Sequence, residues 1–160
     1  MAEELKIASG TKKDKYTLLY KQVAEVVRYE NDGIALMANV AAMIHHTFGF
    51  WWTGFYRVIG NDLVLAPFQG PMACSRIAYG KGVCGTAWQR GESIVVEDVE
   101  QFPGHIACSS LSRSEIVVPI YNKDNDIIAV LDIDSEHLAT FDDVDRLYLE
   151  KIATLLGSLL

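Results

Sequence analysis

Phe50-Trp51-Trp52-Thr53-Gly54-Phe55-Tyr56-Arg57-Val58-Ile59-Gly60-Asn61-Asp62-Leu63-Val64-Leu65-Ala66-Pro67-Phe68 decides the fold. Its first ten residues are rich in aromatic and β-branched side chains, which suit a pleated, half-buried strand. Gly60-Asn61-Asp62 supplies turn chemistry before an apolar run resumes, so the stretch reads as a β-hairpin. Upstream the period changes. Residues 13–28 carry Tyr16, Leu19, Tyr20, Val23 and Val27 at helical spacing. Asn31 and Asp32 offer a cap for a second helix over 33–48, with Ile34, Met37, Ala38, Ala41 and Ile44 on one face, and Gly49 stops it.

Downstream the pattern predicts a strand over 76–78, a short helix over 82–89 ended by Arg90-Gly91, and a strand over 93–96. Residues 98–114 hold Pro103, Gly104 and four serines with no periodicity, and read as a long loop. A second hairpin follows, 116–121 and 127–133 across the turn 122–126. Thr140 is placed to cap a last helix from Phe141 to about Leu159. Short turns between neighbouring strands imply an antiparallel sheet with helices gathered on one face. The expectation is an α+β domain over 13–160 after a flexible start, 1–12, with no repeat and no linker.

Half of the 160 residues are hydrophobic and 22 % are charged, the balance of an ordinary globular chain. The net charge of −7 and the lack of a Lys/Arg-rich block disfavour a nucleic-acid partner. No stretch reaches the ~20 apolar residues of a membrane span, and the polar N-terminus lacks a signal-peptide core. The expected location is the cytoplasm. There, an odd count of three cysteines, Cys74, Cys84 and Cys108, argues for thiol chemistry over a fixed disulfide framework. All three sit among small or polar residues rather than in apolar strands, a setting that favours reactivity.

Trp51-Trp52-Thr53-Gly54-Phe55-Tyr56, Pro67-Phe68-Gln69-Gly70, Gly82-Val83-Cys84-Gly85-Thr86-Ala87, Phe102-Pro103-Gly104-His105-Ile106-Ala107-Cys108, Ser114-Glu115-Ile116-Val117-Val118-Pro119 and Val130-Leu131-Asp132-Ile133-Asp134-Ser135 together closely resemble the free methionine-(R)-sulfoxide reductases, small GAF-domain enzymes. The resemblance spans roughly residues 15–157 and includes all three cysteine positions. It implies a GAF-like fold with N- and C-terminal helices packed on one face of a central antiparallel sheet. It also implies reduction of free L-methionine-(R)-sulfoxide, with no bound cofactor or metal and an external dithiol, thioredoxin-like, as reductant. Ser109, the run Ser110-Leu111-Ser112-Arg113 and a longer turn at 122–126 depart from the family pattern.

The residues allow that chemistry. A thiolate attacks the sulfoxide sulfur while a proton or a strengthening hydrogen bond meets the oxygen. A second cysteine condenses with the resulting sulfenic acid. Asp132 and Asp134 stand two apart on a strand and share a face, and Glu115 opens the preceding strand close by. Crowding should keep at least one of the three protonated. The resemblance places Glu115 and Asp134 near the sulfoxide, with Asp132 in support. Trp52 and Tyr56 share a face and would wall a pocket for the methyl group. The amides of Ile106, Ala107 and Cys108 would receive the substrate carboxylate.

Which thiol attacks is open in the sequence. Cys84 lies near a helix N-terminus, where the dipole favours a thiolate. Cys108 lies in the long loop, three residues after His105. The reading taken is Cys108 as nucleophile, Cys84 as its main disulfide partner and Cys74 as the alternative. The loop 98–114, hinged at Gly104, would close over the substrate and be pinned by the disulfide. A homodimer through the amphipathic terminal helices is a further expectation. Against these stand a non-catalytic GAF sensor module for a small ligand, three inert thiols, and a zinc site of Cys74, Cys84, Cys108 and His105. The zinc reading lacks paired ligand spacing.

Overall fold

The computed structural model describes residues 4–106, 108 and 110–160. In chain order the elements are α1 (Lys12–Tyr29), α2 (Gly33–Phe48), β1 (Trp52–Ile59), β2 (Asp62–Gln69), β3 (Arg76–Ala78), α3 (Gly82–Arg90), β4 (Ile94–Val96), β5 (Ser114–Tyr121), β6 (Ile127–Ser135) and α4 (Asp143–Gly157). One 3-10 turn, Val99–Gln101, interrupts the long loop. Before α1, the backbone of Lys6 exchanges two hydrogen bonds with the Gln22 side chain, each 2.8 Å.

Local chemistry sets the helix ends. Thr11 and Asp14 form a reciprocal capping box on α1, and the Asp32 side chain accepts from the Ala35 amide on α2. Gly49 closes α2 at φ 67°, a left-handed conformation that costs a residue with a Cβ. At α4 the expected cap is corrected. Asp142, not Thr140, caps the helix, accepting from the amides of Val144 and Asp145. Phe141 is buried in the core instead of opening the helix, and the Thr140 hydroxyl donates to Ser135 Oγ at 2.7 Å. Asp145 closes the box and reaches further. It accepts from Tyr16 Oη and Lys12 Nζ, each at 2.6 Å, and so ties α4 to α1.

The six strands form one antiparallel sheet in the order β3-β2-β1-β6-β5-β4. Side chains alternate across it. One face presents Phe55, Ile116, Val118, Ile120, Ala129, Leu131 and Ile133 to a core shared with α1, α2 and α4. The opposite face presents Trp52, Tyr56, Val117 and Val130, and there α3 lays down Val83, Cys84 and Ala87. The terminal helices therefore share one face, while α3 departs from the expected one-sided arrangement. Its cause is visible in β5, seven of whose eight residues are buried. A strand that is apolar on both sides needs cover on both.

Candidate active site

The site grows from the register of three central strands. Trp52 on β1 pairs with Asp134 on β6, and Gly54 pairs with Asp132. Across the other edge of β6, Glu115 on β5 pairs with Asp134, and Val117 pairs with Asp132. Glu115, Asp132, Asp134 and Trp52 therefore stand side by side on the face that α3 covers. A cavity of about 50 Å³ opens above them. Tyr56 and Trp51 from β1 and its approach, Pro71 to Ala73, Val83 and Cys84, and His105, Ile106, Cys108 and Ser112 of the long loop complete its walls. Trp52 and Tyr56 thus line the pocket, as do Ile106 and all three carboxyl groups. Ala107 lies outside the described residues.

The aromatic wall also holds the chain above it. Trp52 stacks on Phe68 at 5.2 Å and on Tyr56 at 5.9 Å between ring centroids. Its indole N–H donates to the Pro71 carbonyl at 3.0 Å, and the Tyr56 hydroxyl donates to the Cys74 carbonyl at 2.9 Å. Two β1 side chains thereby fix the segment that carries Cys74. Gly54 lies beneath: a Cβ there would sit 2.6 Å from the Trp52 ring.

Cys74 and Cys108 are joined in a disulfide with Cα atoms 5.7 Å apart, and Cys84 is a free, buried thiol. The expected Cys84–Cys108 pairing is corrected. Cys84 points from α3 toward the carboxyl groups, its Sγ 4.0 Å from Glu115 Oε1, and Cys74 is the residue delivered to the loop. The helix-dipole argument for a Cys84 thiolate fails for the same reason. Burial, then the neighbouring Asp132, Glu115 and Asp134, push its pKa well above the ordinary thiol value.

Burial dominates the carboxyl groups too. Glu115 is 5 % exposed and Asp132 6 %. Burial and then the charges of Asp132 and Asp134 raise the Glu115 pKa well above the usual range. Asp134 is also raised well above it, by burial and by Asp132, against an opposing 2.8 Å hydrogen bond from Ser112 Oγ. Asp132 is raised by burial, with opposition from hydrogen bonds to Glu115 and Cys84. Close carboxyl groups out of water resist ionising together, so burial and mutual repulsion favour the protonated forms of Glu115 and Asp134, which face the pocket as potential proton donors.

Two contributors escaped the sequence reading. Ser112 was seen only as part of a divergent run, yet its hydroxyl fixes one Asp134 oxygen. His105 was read only as a neighbour of Cys108 in the loop, yet its Nε2 lies 3.8 Å from Glu115 Oε2, and burial lowers its pKa. The loop amides are also less open than expected: the Cys108 N–H donates to the Ile106 carbonyl at 3.1 Å. A serine or histidine in an aperiodic loop carries no periodicity from which its target can be read.

A GAF-type sheet with a disulfide at the mouth of a small acidic pocket defines a thiol-redox protein of the GAF class. The GAF domain family model matches residues 35–160. The GAF domain-containing protein A of Dictyostelium discoideum is 55 % identical over 159 residues, 99 % of this chain and 100 % of that protein. The free methionine-R-sulfoxide reductase of Escherichia coli is 42 % identical over 146 residues, 91 % of this chain and 88 % of that protein. The X-ray structure of free methionine-R-sulfoxide reductase from Neisseria meningitidis, in complex with its substrate, superposes with a TM-score of 0.94 at 51 % identity. It covers 96 % of this chain and 93 % of that one. The chain belongs to the free methionine-R-sulfoxide reductases, a family of GAF-domain oxidoreductases.

Proposed function

We propose that this protein reduces free L-methionine-(R)-sulfoxide to methionine through Cys108, with Cys74 as the resolving thiol. The observation that carries the reading is the Cys74–Cys108 pairing at the rim of the pocket whose floor is Glu115, Asp132 and Asp134. The Neisseria meningitidis relative, solved with its substrate, supports the substrate assignment.

The Cys108 thiolate attacks the sulfoxide sulfur, and the S–O bond opens as a proton passes from Glu115 to the oxygen. Asp134, held by Ser112, supports the same oxygen, and Asp132 supplies the remaining negative charge to hold the substrate ammonium. Trp52 and Tyr56 receive the methyl group. The hydroxyl passes from the substrate sulfur to the Cys108 sulfur as the transient bond between the two sulfurs breaks, so methionine leaves and Cys108 carries the oxygen as a sulfenic acid. Cys74 displaces it as water and forms the disulfide. A thioredoxin-like dithiol then passes two electrons to the pair by exchange and is itself oxidised. A pocket bounded by the Cys74–Cys108 bridge and the long loop suits a single free amino acid better than a residue within a protein chain.

Cys108 is exposed and Cys84 is buried against carboxyl groups, which supports Cys108 as the attacking thiol. The test is turnover of each methionine sulfoxide epimer with dithiothreitol as reductant. Turnover of the free R epimer alone is the expected result. No turnover of either epimer, with all thiols reduced, would return the chain to a ligand-binding GAF domain.

A further inference from the structure

The mechanism leaves Cys84 without a chemical task. It is 3 % exposed, it faces the pocket, and it is the free thiol beside the Cys74–Cys108 bridge. Sγ of Cys84 and one carboxylate oxygen from each of Glu115 and Asp132 lie within 4.8 Å of one another. A second observation points to a ligand among them. Oδ1 of Asp132 is buried with no hydrogen-bond partner, on a residue 6 % exposed that lines the cavity. Buried polar atoms are normally paired, so an orphaned carboxylate oxygen facing a cavity marks a place for a donor or a cation.

We propose that the pocket binds one borderline-soft divalent cation, zinc being the representative, through Cys84 Sγ, Glu115 and Asp132. The donor set selects the metal. A thiolate excludes magnesium and calcium, which take oxygen ligands, whereas one sulfur with two carboxylates suits zinc. Tetrahedral zinc with ordinary bond lengths separates a sulfur from an oxygen ligand by about 3.6 Å. Cys84 Sγ and Glu115 Oε1 are 4.0 Å apart and no two of the three ligand atoms are more than 4.8 Å apart, so side-chain adjustment of about an ångström closes the site. Three protein ligands leave the fourth position to water. The thiol and carboxyl protons pass to solvent as the ion enters. The ion would occupy the space of the sulfoxide group and block turnover. That consequence rests on the reductase reading; the binding itself does not.

The test uses the Cys74→Ser/Cys108→Ser variant, in which Cys84 is the single thiol and no disulfide holds the loop. Cobalt titration should give a thiolate-to-cobalt charge-transfer band that saturates at one ion per chain and that zinc displaces. Adding Cys84→Ser should abolish the band, and either Cys84→Ser or Asp132→Asn should weaken zinc by at least roughly tenfold, with circular dichroism confirming the fold. Millimolar magnesium should leave the band unchanged. No band, a band that survives Cys84→Ser, or displacement by magnesium would overturn the proposal. Free methionine-(R)-sulfoxide, which this variant cannot turn over, should weaken cobalt binding. Metal binding without that competition would overturn the shared pocket and leave the metal site standing. Absence of metal binding beside normal wild-type turnover would sink the metal site alone.

Discussion

Cys108 and Cys74 divide the proposed reaction between them, and each half can be counted. In the proposed reaction Cys108 is the sulfur that takes the oxygen, and it alone would govern the first methionine formed. Without reductant, wild type and Cys74→Ser should each release about one methionine per chain, and Cys108→Ser none. The Cys74→Ser product should carry a sulfenic acid that dimedone traps, and the wild-type product should not. A methionine burst from Cys108→Ser would move the nucleophile elsewhere. Gly54 argues the same site from the opposite side. A methyl group there meets the Trp52 ring, which walls the pocket and anchors Pro71. Gly54→Ala should raise KM about tenfold, because the added Cβ meets Phe68 and the Trp52 ring and displaces the wall, and kcat should fall as well through the segment from Pro71 to Cys74 that Trp52 anchors. An unchanged KM would remove Trp52 from substrate binding.

Among the elements, α1 and α4 are joined by a buried polar contact. Asp145 is fully buried and accepts from Tyr16, Lys12 and the Asp142 amide. Asp145→Ala removes the capping box and strands the Tyr16 hydroxyl, while Lys12 keeps Asp142 and the Thr140 carbonyl. A loss of about 2 kcal/mol is expected in urea unfolding. A loss under 1 kcal/mol would show that water replaces the carboxylate there. Most elements were legible before the structure because periodicity and punctuation agreed, as where Asp32 and Gly49 bracket α2. The cap of α4 was misplaced because Thr140 and Asp142 are both good caps, and only the burial of Phe141 decides between them. The carboxyl triad was legible from strand alternation together with the family resemblance. The cysteine pairing was not. Cys74 and Cys84 both lie in small, polar stretches, and the choice depends on where the Tyr56 and Trp52 hydrogen bonds hold 71–74 and which way α3 turns Cys84. Those are contacts between elements, and no local pattern encodes them.

For the whole molecule, the buried carboxyl groups make stability depend on pH in an unusual direction. Glu115 and Asp134 rise well above their ordinary values of 4.5 and 3.8, so the folded protein keeps protons that the unfolded chain gives up. With more protons bound in the native state, stability falls as pH rises through and beyond those ordinary values. Asp142 works the other way. Burial pushes its carboxyl up, but hydrogen bonds from Lys12 and the α4 amides, with the Lys12 charge, outweigh it and leave the pKa below 3.8. Asp14 is lowered likewise by its hydrogen bonds to Thr11. Their contribution is complete above the ordinary value and is lost as pH falls. The two limbs place maximum stability on the acid side of neutrality, with a decline between about pH 5 and pH 8 that the lowered His45 and His105 oppose only below 6.5. Calorimetry of the reduced protein should show Tm dropping across that range, and Glu115→Gln should flatten the drop by raising Tm at pH 7.5 more than at pH 5. The variant cannot ionise, so it escapes the cost of a carboxylate out of water beside Asp132. An identical slope in Glu115→Gln would mean that the triad is hydrated in solution. The proton proposed for the sulfoxide oxygen would then have to come from solvent. In the proposed reaction the first chemical step draws on the same buried proton as fold stability, and the calorimeter reads it without any substrate present.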